Sequence, residues 1–401
     1  MQRSPSRRVS MSMSTIAANG FHGFVRPDGS VGVRNHLLVL STVALTNRLA
    51  ELAAEGIPDA IVVAGDFVRG LRGADLPLQA RVLRALVSHP NVGGALVLCH
   101  DVPTSRALEA AFAGEGKPVS VQALMAAKGM TDAVARARAA ASDLAHSLTG
   151  ATRSLVPLSC LTVALECGGS DATSALAANP SIGRFVDRLI DAGGTAIVSE
   201  TAEFVGAESV VSARAANQKV SADILAALAR SEAFLSEDGE SYRGVNPTQE
   251  NIEAGLTTLI EKSMGAVAKT GSRPFVGCLT FGSKPPAPGL YFMDTPFFSP
   301  VSITGMVAAS AQVVLFAVGV FNPSGSPLAP TLKVCGNPRT LAEWKDSLDV
   351  DVSAAVTDGA SLNEMADKVE LALRKVLEGE KTMSEAWSEG QIIIPSTKSL
   401  L

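Results

Sequence analysis

A chain of 401 residues is long enough for two to three domains, and its 47% hydrophobic but only 4% aromatic composition is that of α/β layers built from plain aliphatic strands. Lys and Arg number 34 against 39 Asp and Glu, a net charge of −5 that, with so few aromatics, excludes a nucleic-acid-binding footprint. The longest apolar stretch, Met306–Phe321, is interrupted by Ser310, Gln312 and Gly319, which excludes a membrane span. Five scattered cysteines without a CxxC pair indicate reduced thiols and a cytoplasmic protein. Residues 1–20 are rich in Ser and Arg and free of acids, and are expected to be a disordered leader.

In chain order, Phe24–Arg34 reads as a hairpin turning at Pro27-Asp28-Gly29. Strands follow at Leu37–Leu40, Ala60–Ala64, Gly94–Leu98 and Val119–Val121. Helices are expected from Ser41-Thr42 to about Glu55, over Leu78–Ser88, from Pro103-Thr104, and over Met130–Leu148. A domain boundary is expected near Gly150–Ser154, dividing a first α/β domain (21–150) from a second (151–401). The second opens with the strand Leu161–Leu165, which runs through Glu166-Cys167 and a Gly-Gly turn into a helix capped by Ser170 or Asp171. Further strands are expected at Thr195–Val198, Phe275–Leu279, Leu290–Met293, Gln312–Val318 and Leu332–Val334. Helices are expected over Thr201–Arg230, Thr248–Lys269 and Val301–Ala309 and beyond Thr340, with surface loops at Glu237–Asn246 and Asn322–Pro330. The β–α alternation predicts an α/β protein of two Rossmann-like parallel-sheet units with helices on both faces.

Several of these strands end in reactive groups: Asp66, His100-Asp101, Glu166-Cys167, Glu200 and Asp294. In an open parallel sheet, ligands bind beyond the carboxyl ends of the strands. Converging acids with one His and one Cys suit a divalent metal or acid–base chemistry. The Gly168–Thr173 turn opens a helix, so its backbone N–H groups can receive a carboxylate or phosphate, or can serve only as a structural cap. No GxGxxG follows a strand, and there is no Walker A, HExxH or GxSxG motif, which disfavours nicotinamide and nucleotide enzymes. His22, His36, His89 and His146 read as surface or packing residues.

The stretch ECGGSDATSALAANP (Glu166–Pro180) resembles the signature of the altronate/galactarate dehydratase family, sugar-acid hydro-lyases that include the sulfolactate sulfo-lyase large subunit. GFVRPDGSVGVRN (Gly23–Asn35), HPNVG (His89–Gly93), GGTAIVSETAEFVGAE (Gly193–Glu208), AGLTTLIEKSMGAVAK (Ala254–Lys269), PGLYFMDTP (Pro288–Pro296) and GSPLAPTLKVCGNP (Gly325–Pro338) match in the same order. The resemblance implies β-elimination from a hydroxylated carboxylate, giving a 2-keto-3-deoxy acid with the help of an iron-type divalent metal, iron or manganese. On the matching motifs, Glu200, Glu203, Lys262 and Asp294 are candidates for acid, base and ligand. Arg34, Asn35, Arg69, Gly168, Gly169, Ser170, Asp171 and Thr173 are candidates for substrate binding. The family pattern has cysteines where this chain has Arg69 and His100-Asp101, while Cys167 keeps the pattern. His100, Asp101 and Cys167 are therefore the expected metal ligands, unless Arg69 takes the metal's place with its own charge. Phe297, Phe298 and Phe321 imply a more apolar pocket than a polyol acid needs. The small N-terminal domain of full-length altronate dehydratases is missing from the match, which implies a separate small subunit, and a homo-oligomer is expected. Alternatives are a metal-free relative that binds a small acid or serves as a non-catalytic partner subunit, or a metal-independent isomerase or racemase.

Overall fold

The computed structural model describes residues 20–235 and 247–396. All but residue 20 of the expected leader, and the whole of the expected 237–246 loop, lie outside them. Fourteen strands are described: β1 (Phe21–Val25), β2 (Val31–Gly32), β3 (His36–Ser41), β4 (Ala60–Val63), β5 (Val92–Cys99), β6 (Val119–Ala123), β7 (Ser154–Val156), β8 (Thr162–Gly168), β9 (Thr195–Val198), β10 (Phe275–Thr280), β11 (Gly289–Asp294), β12 (Val313–Val318), β13 (Thr331–Cys335) and β14 (Val350–Asp351). Eleven of them form two parallel sheets with helices on both faces, the α/β class expected from the aliphatic runs. One sheet has the order β4-β3-β5-β6 and the other β10-β11-β9-β8-β12-β13-β14.

Strand alternation decides what each face packs against. In the first sheet, Leu37 and Val39 face helices Asn47–Ala54 and Met130–Leu148, whose Leu49, Ala50, Ala137 and Ala141 complete one core. Leu38 and Leu40 face the other way, into a core shared with the second sheet through Ile303, Met306 and Val307 of helix Ser299–Ala308 and through Val314 and Phe316 of β12. The two sheets thus bury apolar surface against each other. The β1–β2 hairpin does not join the first sheet. It pairs antiparallel with β7 in a three-stranded ribbon.

Two of the family-like motifs serve this junction. Asn91 is buried and bridges three backbone groups: Oδ1 accepts from Val33 N at 2.9 Å, and Nδ2 donates to Gln312 O and Leu328 O, both at 2.9 Å. His89, also buried, meets Ala311 O at 3.0 Å. Arg34 is spent in the same way. Its guanidinium pairs with Glu385 at 2.7 Å and donates to the carbonyls of Val33, Val376 and Glu380. Asn35 accepts from Arg26 at 2.7 Å. These contacts tie the N-terminal ribbon and the C-terminal segment to the two sheets.

The single helix expected over Thr248–Lys269 is two, Gln249–Glu253 and Leu259–Ala268. Gly255 takes φ +98°, a conformation open mainly to glycine, and Thr258 with Glu261 forms a capping box that restarts the helix.

Candidate active site

In the second sheet, the chain leaves β8 toward β9 on one side and later returns to β12 on the other. The topological switch point, where open α/β sheets bind ligands, therefore lies between β8 and β12, with the carboxyl ends of β9 and β11 next to β8 on one side of it. Glu166 is the fifth residue of β8, and Glu200 and Glu203 follow β9. Glu203 lies in a 3₁₀ turn, Thr201–Phe204. One carboxylate oxygen from each of the three lies within 4.8 Å of the others, and all three residues are at most 2% exposed. Among the described residues this is the only set of three His, Cys, Asp or Glu side chains close enough to share one ion.

A buried cation completes the cluster. Lys269, fully buried at the end of helix Leu259–Ala268, places Nζ 2.7 Å from Glu203 Oε2 and 3.0 Å from Cys167 Sγ. Ser302 donates its hydroxyl to Glu166 Oε2, and Cys167 N donates to Glu166 Oε1 at 3.1 Å. Glu200 Oε2 is buried with no hydrogen-bond partner. Glu200 also has a left-handed backbone, φ 67° and ψ 65°. For a residue with a side chain this conformation costs roughly 1–3 kcal/mol and is found mainly where the surroundings enforce it.

The environments divide the protons among these groups. Burial pushes Glu166 up to about 7. Burial and then the neighbouring Glu203 and Glu166 hold Glu200 well above the usual carboxylate range. Burial would raise Glu203 as well, but Lys269 and Lys262 more than reverse it and hold that carboxyl below its ordinary value. Burial, then Glu203, pushes the Cys167 thiol up to about 12, so the thiol keeps its proton. Groups driven apart in this way mark acid and base roles.

A pH dependence follows. With its folded pKa raised from 4.5 to about 7, Glu166 binds more protons in the native state, so its contribution to stability falls as pH rises through that window. The neutral variant Glu166→Gln should gain on the wild type between pH 5 and pH 8, by up to about 3 kcal/mol at 1.36 kcal/mol per pKa unit. Paired urea melts at the two pH values measure this, and a pH-independent difference would contradict the assignment.

The structure separates the residues expected from sequence. Cys167 is in the cluster, but His100 and Asp101 are not. They end β5 of the other sheet, where Arg69 contacts His100 Nδ1 at 3.1 Å and Asp101 at 3.3 Å, and Asp101 caps helix Val102–Phe112 by accepting from Thr104 N at 2.9 Å. The expected His100–Asp101–Cys167 ligand set is therefore not one set. Cys167 shares its core with Val163 and Leu165, on the face of β8 turned away from the core that the two sheets share. Arg69 is half-exposed beside His100 and does not stand in for an ion at the glutamates.

The Gly168–Thr173 turn is filled by its own acid. Asp171 Oδ1 accepts from Ser174 N at 2.7 Å and Thr173 Oγ1 at 2.8 Å, while Oδ2 accepts from Asn337 at 2.7 Å. Ser170 O accepts from Asn251 at 2.9 Å. Gly169 is held at φ +61° so close to the segment after β12 that an added Cβ would lie 2.1 Å from Val320 O, and a Cβ on Gly168 would meet Asn322 at 2.6 Å. The helix that follows begins with a π-wound segment, Ser174–Ala178, a feature frequent at functional sites.

Lys262 is buried with Nζ 5.2 Å from the Phe297 ring, on the side of Glu203. Asp294 ends β11, accepting from Thr201 at 2.9 Å and from Arg230 at 2.8 Å. Phe298 is exposed, and Phe321 stacks on Trp344 with centroids 4.1 Å apart, so of the three phenylalanines Phe297 stands beside Lys262. A groove of about 1190 Å³ also runs past Arg34, Asn35, Asp59, His146 and Glu389, but it contains none of the clustered glutamates.

Glu166 and Lys269 are the residues missed as site candidates. Glu166 was visible as a strand-end acid. Lys269 lies seven residues, two helical turns, after Lys262 and so shares its face.

Residues 158–399 match the family described as D-galactarate/Altronate dehydratase, C-terminal, and residues 23–149 match D-galactarate dehydratase/Altronate hydrolase, second domain. The chain is 32% identical to the (2R)-sulfolactate sulfo-lyase subunit beta of Chromohalobacter salexigens, over 93% of this chain and 96% of that one. It is 32% identical to an altronate dehydratase of Bacillus subtilis, over 79% of this chain and 65% of that one. It is 27% identical to the galactarate dehydratase (L-threo-forming) of Escherichia coli, over 92% and 74%. Among the described residues no helix is long and apolar enough to cross a membrane. Both domain matches and the near-complete overlap with the sulfo-lyase subunit show that the chain belongs to the galactarate/altronate dehydratase family of lyases.

Proposed function

We propose that the protein removes water from a small hydroxylated carboxylic acid, such as a sugar acid, by taking the proton beside the carboxylate and yielding a 2-keto-3-deoxy acid. The observation that carries this reading is the convergence of Glu166, Glu200 and Glu203 with Lys269 and Lys262 at the carboxyl ends of β8 and β9 in the second sheet. Such an elimination needs a positive charge for the carboxylate, a base and an acid for the leaving hydroxyl.

The cluster suits a divalent ion on two counts. Three carboxylates form a hard oxygen donor set, which fits manganese or iron(II) better than a soft metal. The orphaned Glu200 Oε2 is a buried acceptor awaiting a partner. Glu166, Glu200 and Glu203 would hold the ion, which would supply positive charge for the substrate carboxylate and for the negative charge that builds beside it. Glu203 would take the proton beside the carboxylate, and the Lys262 ammonium, which lies by the Phe297 ring, would give one to the leaving hydroxyl. Lys269 offsets the excess negative charge from behind.

A second reading rests on Lys269 itself, which already places an ammonium among the carboxylates. Without an ion, Glu203, held ionised by Lys269, is the base, and Glu200, which keeps its proton, is the acid for the leaving hydroxyl. The similarity to a protein named as a subunit beta supports a further proposal, that a separate small subunit works with this chain.

Elemental analysis of protein purified without chelators distinguishes the readings. About one ion per chain, lost in Glu200→Gln, is expected from the first. Absence of metal in protein that still releases 2-keto acid from altronate or galactarate would establish the second. Failure of metal-supplemented protein to release keto acid from any hydroxylated acid in a screen would contradict both.

A further inference from the structure

Glu200 is the member of the trio whose backbone is strained, and a defined chain of contacts reaches it. Its N–H donates to Thr295 Oγ1 at 2.8 Å. Thr295 and Thr201 then clamp each other: Thr295 N donates to Thr201 Oγ1 at 3.0 Å, and Thr201 N donates to Thr295 O at 3.3 Å. The Thr201 hydroxyl donates to Asp294 Oδ1 at 2.9 Å, and Asp294 Oδ2 accepts from Arg230 at 2.8 Å. Both threonines are buried, whereas Arg230 is largely exposed.

We infer that Arg230, Asp294, Thr201 and Thr295 form a positioning chain whose task is to hold Glu200 in its left-handed conformation, so that its carboxyl joins Glu166 and Glu203. The inference rests on the reading of the three glutamates as the reaction centre. It makes Asp294 a positioning residue, since both its oxygens are engaged within the chain of contacts. The physical argument is local. In the left-handed region the Glu200 N–H points at Thr295, and without that hydroxyl a buried donor would be left unsatisfied. Rotation of φ to the ordinary right-handed range relieves the strain and swings the side chain out of the trio. Reciprocal threonine contacts between the ends of β9 and β11 leave little freedom for that rotation while the hydroxyls are present.

The test compares crystal structures and kinetics of Thr295→Val and Thr295→Ser. Valine keeps the shape and removes the acceptor, and serine restores it. In Thr295→Val, Glu200 should leave positive φ, and kcat on whichever acid the wild type turns over should fall about 10- to 100-fold with KM little changed, as for a misplaced catalytic group. Thr295→Ser should restore both. A Thr295→Val protein with Glu200 unmoved and full kcat would overturn the inference. If that variant does not fold, Asp294→Asn reads the outer end of the same chain, where a severalfold loss of kcat is expected and none would overturn it. Glu200→Gln separates the two levels. Full activity in that variant would sink the role of the trio, while the position of Glu200 in Thr295→Val would still decide the positioning chain.

Discussion

Lys269→Met is expected to destabilise the fold by roughly 3–5 kcal/mol, the usual cost of removing one partner from a buried ion pair. Its ammonium is fully buried, and although burial alone would lower its pKa, the neighbouring carboxyls, Glu203 first, hold it well above its ordinary value. Removing it leaves the ionised Glu203 buried without its ammonium partner at 2.7 Å. The same argument makes the loss conditional. The double variant Lys269→Met/Glu203→Gln should recover most of it, because the uncompensated charge is gone. Urea melts of the wild type, both single variants and the double variant give the coupling energy directly. Additive effects would mean that the contact is incidental.

The largest expected effect on activity comes from the glutamates. Glu203→Gln and Glu200→Gln preserve shape and hydrogen-bonding capacity while removing the acid–base function. Each should lower kcat about 10²–10⁴-fold, the range typical of a general acid or base. Glutamine at 200 removes no ion pair, so the Glu200 variant should remain folded. Melting curves beside the rate measurements show whether lost activity reflects lost chemistry or lost structure.

Much of the fold was legible because parallel strands buried on both faces read as uninterrupted aliphatic runs. Leu37–Leu40, Gly94–Leu98, Leu161–Leu165 and Gln312–Val318 all became strands. The site was only half legible. The acids at the ends of β8 and β9 announced themselves, but so did His100 and Asp101, and although the expected domain boundary already put β5 and β8 in different sheets, a sequence does not say which strand ends of the two sheets converge. Cys167 looked like a ligand because it adjoins Glu166. Strand alternation turns its side chain away from that of Glu166, but its Sγ still lies 3.3 Å from Glu203 Oε2 and 3.0 Å from Lys269 Nζ. Lys269 was hidden for another reason. A lysine at a helix C-terminus ordinarily interacts with the helix dipole in solvent, and only the packing of helix Leu259–Ala268 over the site buries this one. Arg34 and Asn35 sit in a family-like motif whose contacts here are structural.

The most direct test measures 2-keto acid release from altronate, galactarate and a wider set of hydroxy acids by the wild type, Glu203→Gln and His100→Ala. Release from at least one acid, nearly abolished in Glu203→Gln and retained in His100→Ala, is the result expected of a centre built on Glu166, Glu200 and Glu203 at the second sheet. Full turnover in Glu203→Gln together with its loss in His100→Ala would contradict that account and place the chemistry at the end of β5.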